Sequence, residues 1–285
     1  MARSATAKAF ALNGLLLHVL LIAGAFCMLY PLLWMIGSSF KPENEIFSQL
    51  NPIPHSLYLA NYVRGWVLGT GTSFTTFYLN SAIVCGGAII GNLLSCSLAA
   101  YAFARIKFRF KKLWFAVMLG TLMLPFHVTV VPQYIIFNFL GWTNTFLPLI
   151  VPKFFAVDAF FIFLMVQFIR GIPLELEQAA MVDGCNRFQI FSRIILPLLT
   201  PALITTTIFT FIWTYNDFFS QLLYLSTENR YTVALGLRQF LDASGQSAWG
   251  PMFAMTTLSL VPVFLVFLFF QRRLVEGIAT TGLKG

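Results

Sequence analysis

Charge is scarce in this chain, and the scarcity is patterned. Only 10% of its 285 residues are Asp, Glu, Lys or Arg, against about 25% in a soluble globular domain. None occurs in residues 65–104, 113–152, 194–216 or 243–271. About 20 apolar residues carry a helix across the hydrocarbon core of a bilayer, so each stretch is long enough for one crossing. They show no sustained polar face, which excludes the amphipathic helices of a soluble bundle. Cysteine is rare as well: Cys27, Cys85 and Cys96 lie inside apolar stretches, and Cys185 in a polar loop. No pair falls in one outward loop, so no disulfide framework is expected, and all read as small packing residues. A G-x-x-x-x-G-K-[ST] phosphate loop is missing, so the chain is not expected to hydrolyse ATP by itself. Also missing are a D-x-D pair and any His/Cys/Asp cluster with metal-ligand spacing.

What is there is apolar. The hydrophobic residues make up 58% of the chain. The first uncharged run, 32 residues between Lys8 and Lys41, is too long for the core of a signal peptide and reads as a retained span. Six crossings are expected, near Leu12–Ile36, Thr76–Ala104, Leu113–Tyr134, Leu147–Ile169, Leu198–Leu222 and Phe253–Phe270. The fold class is therefore all-α and integral to the membrane. A short N-terminus (1–11), a six-helix domain (12–270) and a C-terminal tail (271–285) divide the chain. Pro125 with Pro132, Pro197 with Pro201, and also Pro31 and Pro262 predict kinked or interrupted helices.

Lys and Arg set the orientation. With both termini in the cytoplasm, the inward segments hold Arg3, Lys8, Arg105, Lys107, Arg109, Lys111, Lys112, Arg170, Arg187, Arg193, Arg272, Arg273 and Lys284, which is 13 of the 18 basic residues. The net charge of +8 thus reflects topology and does not imply a nucleic-acid partner. Residues 41–75 and 223–252 form outward segments long enough either to touch a partner or simply to connect helices.

The inward loop at 170–197 has an unusual build. Pro173 suits the first turn of a helix, and Glu175 and Glu177 sit near its positive end. Leu176, Ala179, Ala180 and Val182 fall on or near one face. Gly184 is a natural stop, and Asn186 suits the cap of a second helix that runs on to Leu196 and Pro197. Small side chains on the first helix suit docking into a groove of another protein. The alternative, a helix lying on the bilayer surface, is disfavoured by the acids within it.

The series Glu177-Gln178-Ala179-Ala180, Gly184 and Ile194-x-Leu196-Pro197 resembles the coupling loop of ABC importer permeases. The resemblance continues in Trp213-Thr-Tyr-Asn216-Asp217-Phe218, in Val233-Ala-Leu-Gly236 and in the ending Phe270-Gln-Arg-Arg. It is closest to the six-crossing subunits of carbohydrate importers, and importers of alginate or other acidic oligosaccharides have similar subunits. It implies a type I importer permease fold in the bacterial inner membrane, with N- and C-termini inside. Glu177, Gln178, Ala179, Ala180, Met181, Asp183, Gly184, Leu196 and Pro197 would then couple to ATPases. One departure is Gln178, where the family usually has Glu. Implied partners are a second, different permease, two ATPase subunits, a periplasmic solute-binding protein, a carbohydrate and lipid. No cofactor would bind this chain, ATP and Mg being held by the ATPases. The resemblance also implies that 227–250 reaches the binding protein and 277–285 the ATPases.

Polar residues in apolar stretches are candidates for a translocation path. Asn216 and Asp217 lie near the outer end of crossing five, and Trp213 and Tyr215 beside them offer aromatic faces for sugar rings. Asp158 and Lys153, with His18, His127, Asn80 and Asn92, are further candidates. Asp217 also reads as a helix-end residue, and the histidines as satisfied packing residues. An ion-coupled secondary transporter would need more central charge and internal repeats. A membrane-embedded glycosyltransferase would need clustered carboxylates, whereas Glu43, Glu45, Glu228 and Asp242 are scattered.

Overall fold

The computed structural model describes residues 2–48, 51–67, 71–241 and 248–282, with side chains between 17 and 271. Residues 242–247 and the side chains of the C-terminal tail lie outside the described residues, and with them the contacts expected there. In chain order the helices are α1 (Ala2–Ser38), α2 (Glu43–Ile46), α3 (Ala60–Trp66), α4 (Phe74–Arg105), α5 (Lys111–Thr121), α6 (Phe126–Phe139), α7 (Leu147–Ile150), α8 (Ala159–Arg170), α9 (Leu174–Val182), α10 (Arg187–Ile190), α11 (Leu196–Leu198), α12 (Thr200–Tyr215), α13 (Phe219–Tyr224), α14 (Val233–Gly236) and α15 (Trp249–Gly282). A 3-10 turn at Val151–Phe155 links α7 to α8, and a π turn at Phe191–Ile195 links α10 to α11.

Four helical stretches are long and apolar enough to cross a membrane: Leu17–Ser38, Phe74–Arg105, Leu147–Arg170 and Trp249–Gln271. Two bent pairs bring the number to six if each is one span. The expected third crossing, Leu113–Tyr134, is one of these pairs: α5 and α6 meet at 99°. Pro125 lies at the break with ψ at 133°, and a proline also pushes the residue before it away from helical geometry. The expected fifth crossing, Leu198–Leu222, is corrected at both ends. Its inner part, Arg187–Leu198, bends by 73° into α12, where Pro197 and Pro201 remove backbone donors. Its outer end is Tyr215, because Asp217 Oδ1 accepts from Ser220 N at 3.0 Å and starts the separate α13. Pro31, Pro132 and Pro262 stay inside unbroken helices.

The described chain divides into two compact units. In the first, residues 1–71 and 237–260, Trp34 packs edge-on to Phe253 at 5.5 Å and Phe47 edge-on to Trp249 at 5.3 Å. The carboxylate of Glu43 accepts from Trp249 N at 2.6 Å and Gly250 N at 3.3 Å, so it caps the start of α15. Buried Asn61 donates to the Ser39 and Lys41 carbonyls at 2.9 and 2.8 Å. A Cβ on Gly250 would lie 2.6 Å from the Asn61 amide oxygen, so glycine is what lets helix and amide approach.

The second unit, residues 72–236 and 261–285, is organised on α4, which packs against α7, the following 3-10 turn, α8, α12 and α14. Phe161, Ile162, Met165, Val166 and Ile169 line one side of α8 at helical spacing and bury against Cys96, Ala100 and Tyr101 of α4. Ala180, Ile190, Phe191, Ile195, Leu199 and Ala202 join the same core. The loop at 170–197 therefore shares one apolar core with the apolar helices. At the other end, Asn80 donates to the Asn229 and Tyr231 carbonyls at 2.9 and 2.8 Å, and Ser81 Oγ accepts from Val233 N at 2.9 Å. Asn144, in the left-handed region at φ 56°, accepts from Ser226 N and Thr227 N at 3.2 and 3.1 Å. These bonds fix residues 226–233 against α4 and the turn at Asn144.

Candidate functional site

The elbow in the loop at 170–197 is built from its ends. Pro173 is the residue before α9, one place earlier than the first-turn position expected. Gly184 has φ 83°, a conformation that costs other L-residues steric strain. With it, Cys185 N donates to the Ala180 carbonyl at 2.9 Å and Gly184 N to that of Met181 at 3.1 Å. This is the Schellman arrangement that satisfies the last carbonyls of a helix. Asn186 and Gln189 then cap α10 reciprocally, Gln189 N donating to Asn186 Oδ1 at 2.9 Å and Asn186 N to Gln189 Oε1 at 2.8 Å, a capping box.

A buried ion pair fixes the roll of α9. Arg105 Nε lies 2.5 Å from Glu177 Oε1, with the side chains 7% and 2% exposed. The same guanidinium donates to the Ile169 carbonyl at 2.7 Å and the Ile172 carbonyl at 2.5 Å. One side chain thus ties the end of α4 to the end of α8 and the middle of α9. Glu177 and Ala180, one turn apart, face this core. The expected apolar face of Leu176, Ala179, Ala180 and Val182 is therefore replaced by another. Glu175, Gln178, Ala179 and Val182, spaced i, i+3, i+4 and i+7, are exposed on the opposite side, Val182 at 88%. Met181, Asp183 and Gly184 are also exposed, Leu196 is half-buried in the core and Pro197 is exposed at the bend. The sequence pattern missed the roll because the anchoring charge, Arg105, is remote from Glu177 in the chain.

A second feature lies in the same unit. A cavity of about 610 Å³ is lined by aromatic Phe126, Phe137, Trp142 and Tyr224 and by polar Gln133, Lys153, Asp158, Asp217 and Ser220. Ligand sites of 300–1,000 Å³ with apolar walls and a few convergent polar groups are typical. Lys153 Nζ donates to Asp158 Oδ2 at 2.8 Å, and Asn92 Nδ2 donates to the same oxygen at 2.7 Å and to Thr210 Oγ1 at 3.1 Å. This network joins α4, α12 and the turn before α8. Burial raises the pKa of the Tyr224 hydroxyl, and the Asp217 charge adds to the effect.

Of Trp213, Tyr215, Asn216 and Asp217, Asp217 alone lines the cavity, and Asp158 and Lys153 line it as well. Trp213 is half-exposed and stacks on Phe161 at 5.2 Å. Tyr215 is buried with its ring stacked on Phe211 at 5.4 Å. Asn216 is exposed, and its amide donates to the Ile212 carbonyl at 2.8 Å. The turn of Asn216 and Asp217 separates these neighbours. Asp158, Lys153 and Asn92, signalled by opposite charges inside an apolar stretch, do meet. Trp142 and Gln133 carried no sequence signal that set them apart. Among the described residues, no three His, Cys, Asp or Glu side chains gather where they would hold a metal.

Residues 91–280 match the family of binding-protein-dependent transport system inner membrane components. The chain belongs to that family. It is 37% identical over 256 residues to a probable ABC transporter permease protein, YurM, of Bacillus subtilis, covering 90% of this chain and 84% of that protein. It is 33% identical over 276 residues to the trehalose/maltose transport system permease protein MalG of Thermococcus litoralis, covering 94% of this chain and 97% of that one. The diacetylchitobiose uptake system permease protein DasC of Streptomyces coelicolor is 30% identical over 260 residues, covering 90% and 92%. A chain of a solved bacterial ABC transporter involved in the import of the acidic polysaccharide alginate superposes with a TM-score of 0.81 at 22% identity, covering 92% of this chain and 96% of that one. That likeness establishes the fold. The α9 elbow, the cavity and the α12 bend all fall within the matched part of this transport component.

Proposed function

We propose that this chain is one of two different membrane subunits of an ATP-driven importer, and that its cargo is a carbohydrate handed over by a solute-binding protein. The observation that carries the reading is the rolled α9: Glu177 is held inside, and Glu175, Gln178, Ala179 and Val182 are offered outside on a helix stopped by Gly184. The short side chains of Ala179 and Val182 on this stripe, flanked by polar Glu175 and Gln178, suit entry into a cleft of an ATPase. Relatives named for trehalose/maltose and for diacetylchitobiose support the carbohydrate assignment. The chain itself serves no catalytic step and holds no cofactor, ATP and Mg belonging to two ATPase partners. Both termini face the cytoplasm, as the distribution of Lys and Arg favours.

In this reading ATP shifts the ATPases between two arrangements. The docked helix passes on the difference in binding energy between them, and the membrane subunits alternate their access. The aromatic cavity beside Asp217 and the Lys153–Asp158 pair contributes polar and stacking contacts to the passing sugar. The test is a cysteine placed at Val182 in a background freed of the native cysteines. In the assembled importer it is expected to cross-link to the ATPase, and labelling by lipid-phase reagents alone overturns the reading.

A further inference from the structure

A group of basic side chains lies where α4 leaves the membrane and α5 begins. The segment reads Lys107-Phe108-Arg109-Phe110-Lys111-Lys112, and no Asp or Glu occurs in sequence between Glu45 and Asp158. Lys107, Arg109 and Lys112 are exposed and Lys111 is half-buried. Arg170, exposed at the end of α8, adds a fifth charge: its guanidinium sits over the Phe115 ring at 5.4 Å. Phe115 is four residues beyond Lys111 and so on the same side of α5. Among the described residues Arg105 pairs with Glu177 and Lys153 with Asp158. None of these five cations is in either pair. Lys111 Nζ donates only to the Ile106 carbonyl, at 2.9 Å. A concentration of like charge with no paired carboxylate among the described residues attracts an outside anion.

The surroundings say which anion. The cluster stands at the end of Phe74–Arg105, a span by length and composition. Phe108, Phe110 and Trp114 beside it are 40%, 58% and 56% exposed. Exposed aromatic rings interleaved with Lys and Arg suit the boundary between acyl chains and headgroups. There the rings sit in the apolar layer and the long basic side chains reach the phosphates. We infer that Lys107, Arg109, Lys111, Lys112 and Arg170 form a binding site for the headgroup of an anionic phospholipid. The site adjoins the anchor of α9, since Arg105 precedes the segment and Ile172 follows Arg170. Lipid bound there braces the loop that carries the elbow.

The experiment uses the intact, detergent-solubilised importer titrated with phosphatidylglycerol or phosphatidylcholine, with bound lipid counted by native mass spectrometry. The natural protein is expected to retain phosphatidylglycerol in preference to phosphatidylcholine. K107Q/K112Q is expected to weaken that binding roughly ten-fold or more, and K107R/K112R to restore it. R3Q/K8Q, which removes equal charge from the N-terminal segment, is expected to leave it unchanged. Should K107Q/K112Q fail to assemble, R109Q alone carries the comparison, with a loss of roughly five-fold. Equal binding in the neutralised and natural proteins overturns the site. So does equal affinity for the two lipids, and so does displacement of phosphatidylglycerol by millimolar inorganic phosphate.

Discussion

Arg105 and Glu177 form an ion pair at 2.5 Å in the interior of the chain, each side chain almost wholly withdrawn from solvent. Glu177 belongs to the helix that carries the proposed docking stripe, yet its carboxylate is turned away from any partner. The pair is therefore an internal anchor, and it decides which residues of α9 face outward.

Removing one partner of that pair leaves a buried charge without compensation, at a cost of about 3–5 kcal/mol. Glu177→Ala and Arg105→Ala are each expected to lower the thermal midpoint of the purified importer and abolish uptake. The double variant is expected to be less damaging than the sum, because it strands neither charge. A double-mutant cycle on thermal stability checks this; strict additivity would count against the anchor.

Steric tests of docking should use Ala179 rather than Ala180. Ala180 is buried in the shared core, so Ala180→Trp is expected to destabilise the fold itself through overpacking, by about 1–3 kcal/mol. Ala179→Trp is expected to leave stability within about 0.5 kcal/mol while preventing co-purification of the ATPase. Pull-down and thermal melts on both variants separate the two effects.

Gly184→Ala introduces a side chain at φ 83° and is expected to cost about 1–2 kcal/mol locally. No atom would meet the added Cβ, so the loss is one of backbone geometry. The expected phenotype is ATP hydrolysis that continues while uptake falls, measured as the ratio of sugar moved to ATP spent in proteoliposomes.

Asp158→Ala deprives Lys153 and Asn92 of a shared acceptor. About 1–3 kcal/mol of stability is expected to go with it, together with a several-fold rise in the KM for uptake. Asp217→Asn keeps an acceptor for Ser220 N and is expected to change KM without a change in melting temperature. Transport kinetics set beside melts decide whether these groups touch cargo.

Asn144→Ala removes the acceptor for Ser226 N and Thr227 N. The outer loop is expected to loosen, with faster amide exchange at Ser226 and Thr227. Weaker stimulation of ATP hydrolysis by the loaded solute-binding protein is expected to follow. Unchanged exchange would show that Asn80 and Ser81 suffice to hold the loop.

The spans and the elbow were legible because each is written locally. Uncharged runs mark the crossings, and Pro173, Gly184 and Asn186 mark the ends of short helices whose caps form within a few residues. The 99° turn at Pro125 was legible as an interruption and not as an angle. The roll of α9 was not legible, since it depends on a guanidinium from the far end of α4. The cavity was half legible. Asp158 and Lys153 stand out as charges in an apolar run, whereas Trp142 is one aromatic among many until the fold brings it to Asp217. Trp213 and Tyr215 lie away from the cavity for the converse reason: closeness in sequence to Asp217 is undone by the turn between them.

One guanidinium clasping a carboxylate and two carbonyls makes a crank of three helices. In the proposed docking, a push delivered at Val182 is expected to be carried past α9 to the foot of α4, because Glu177 is pinned to Arg105. The same helix α4 holds Asn92 against Asp158, so the cavity wall is expected to feel the stroke.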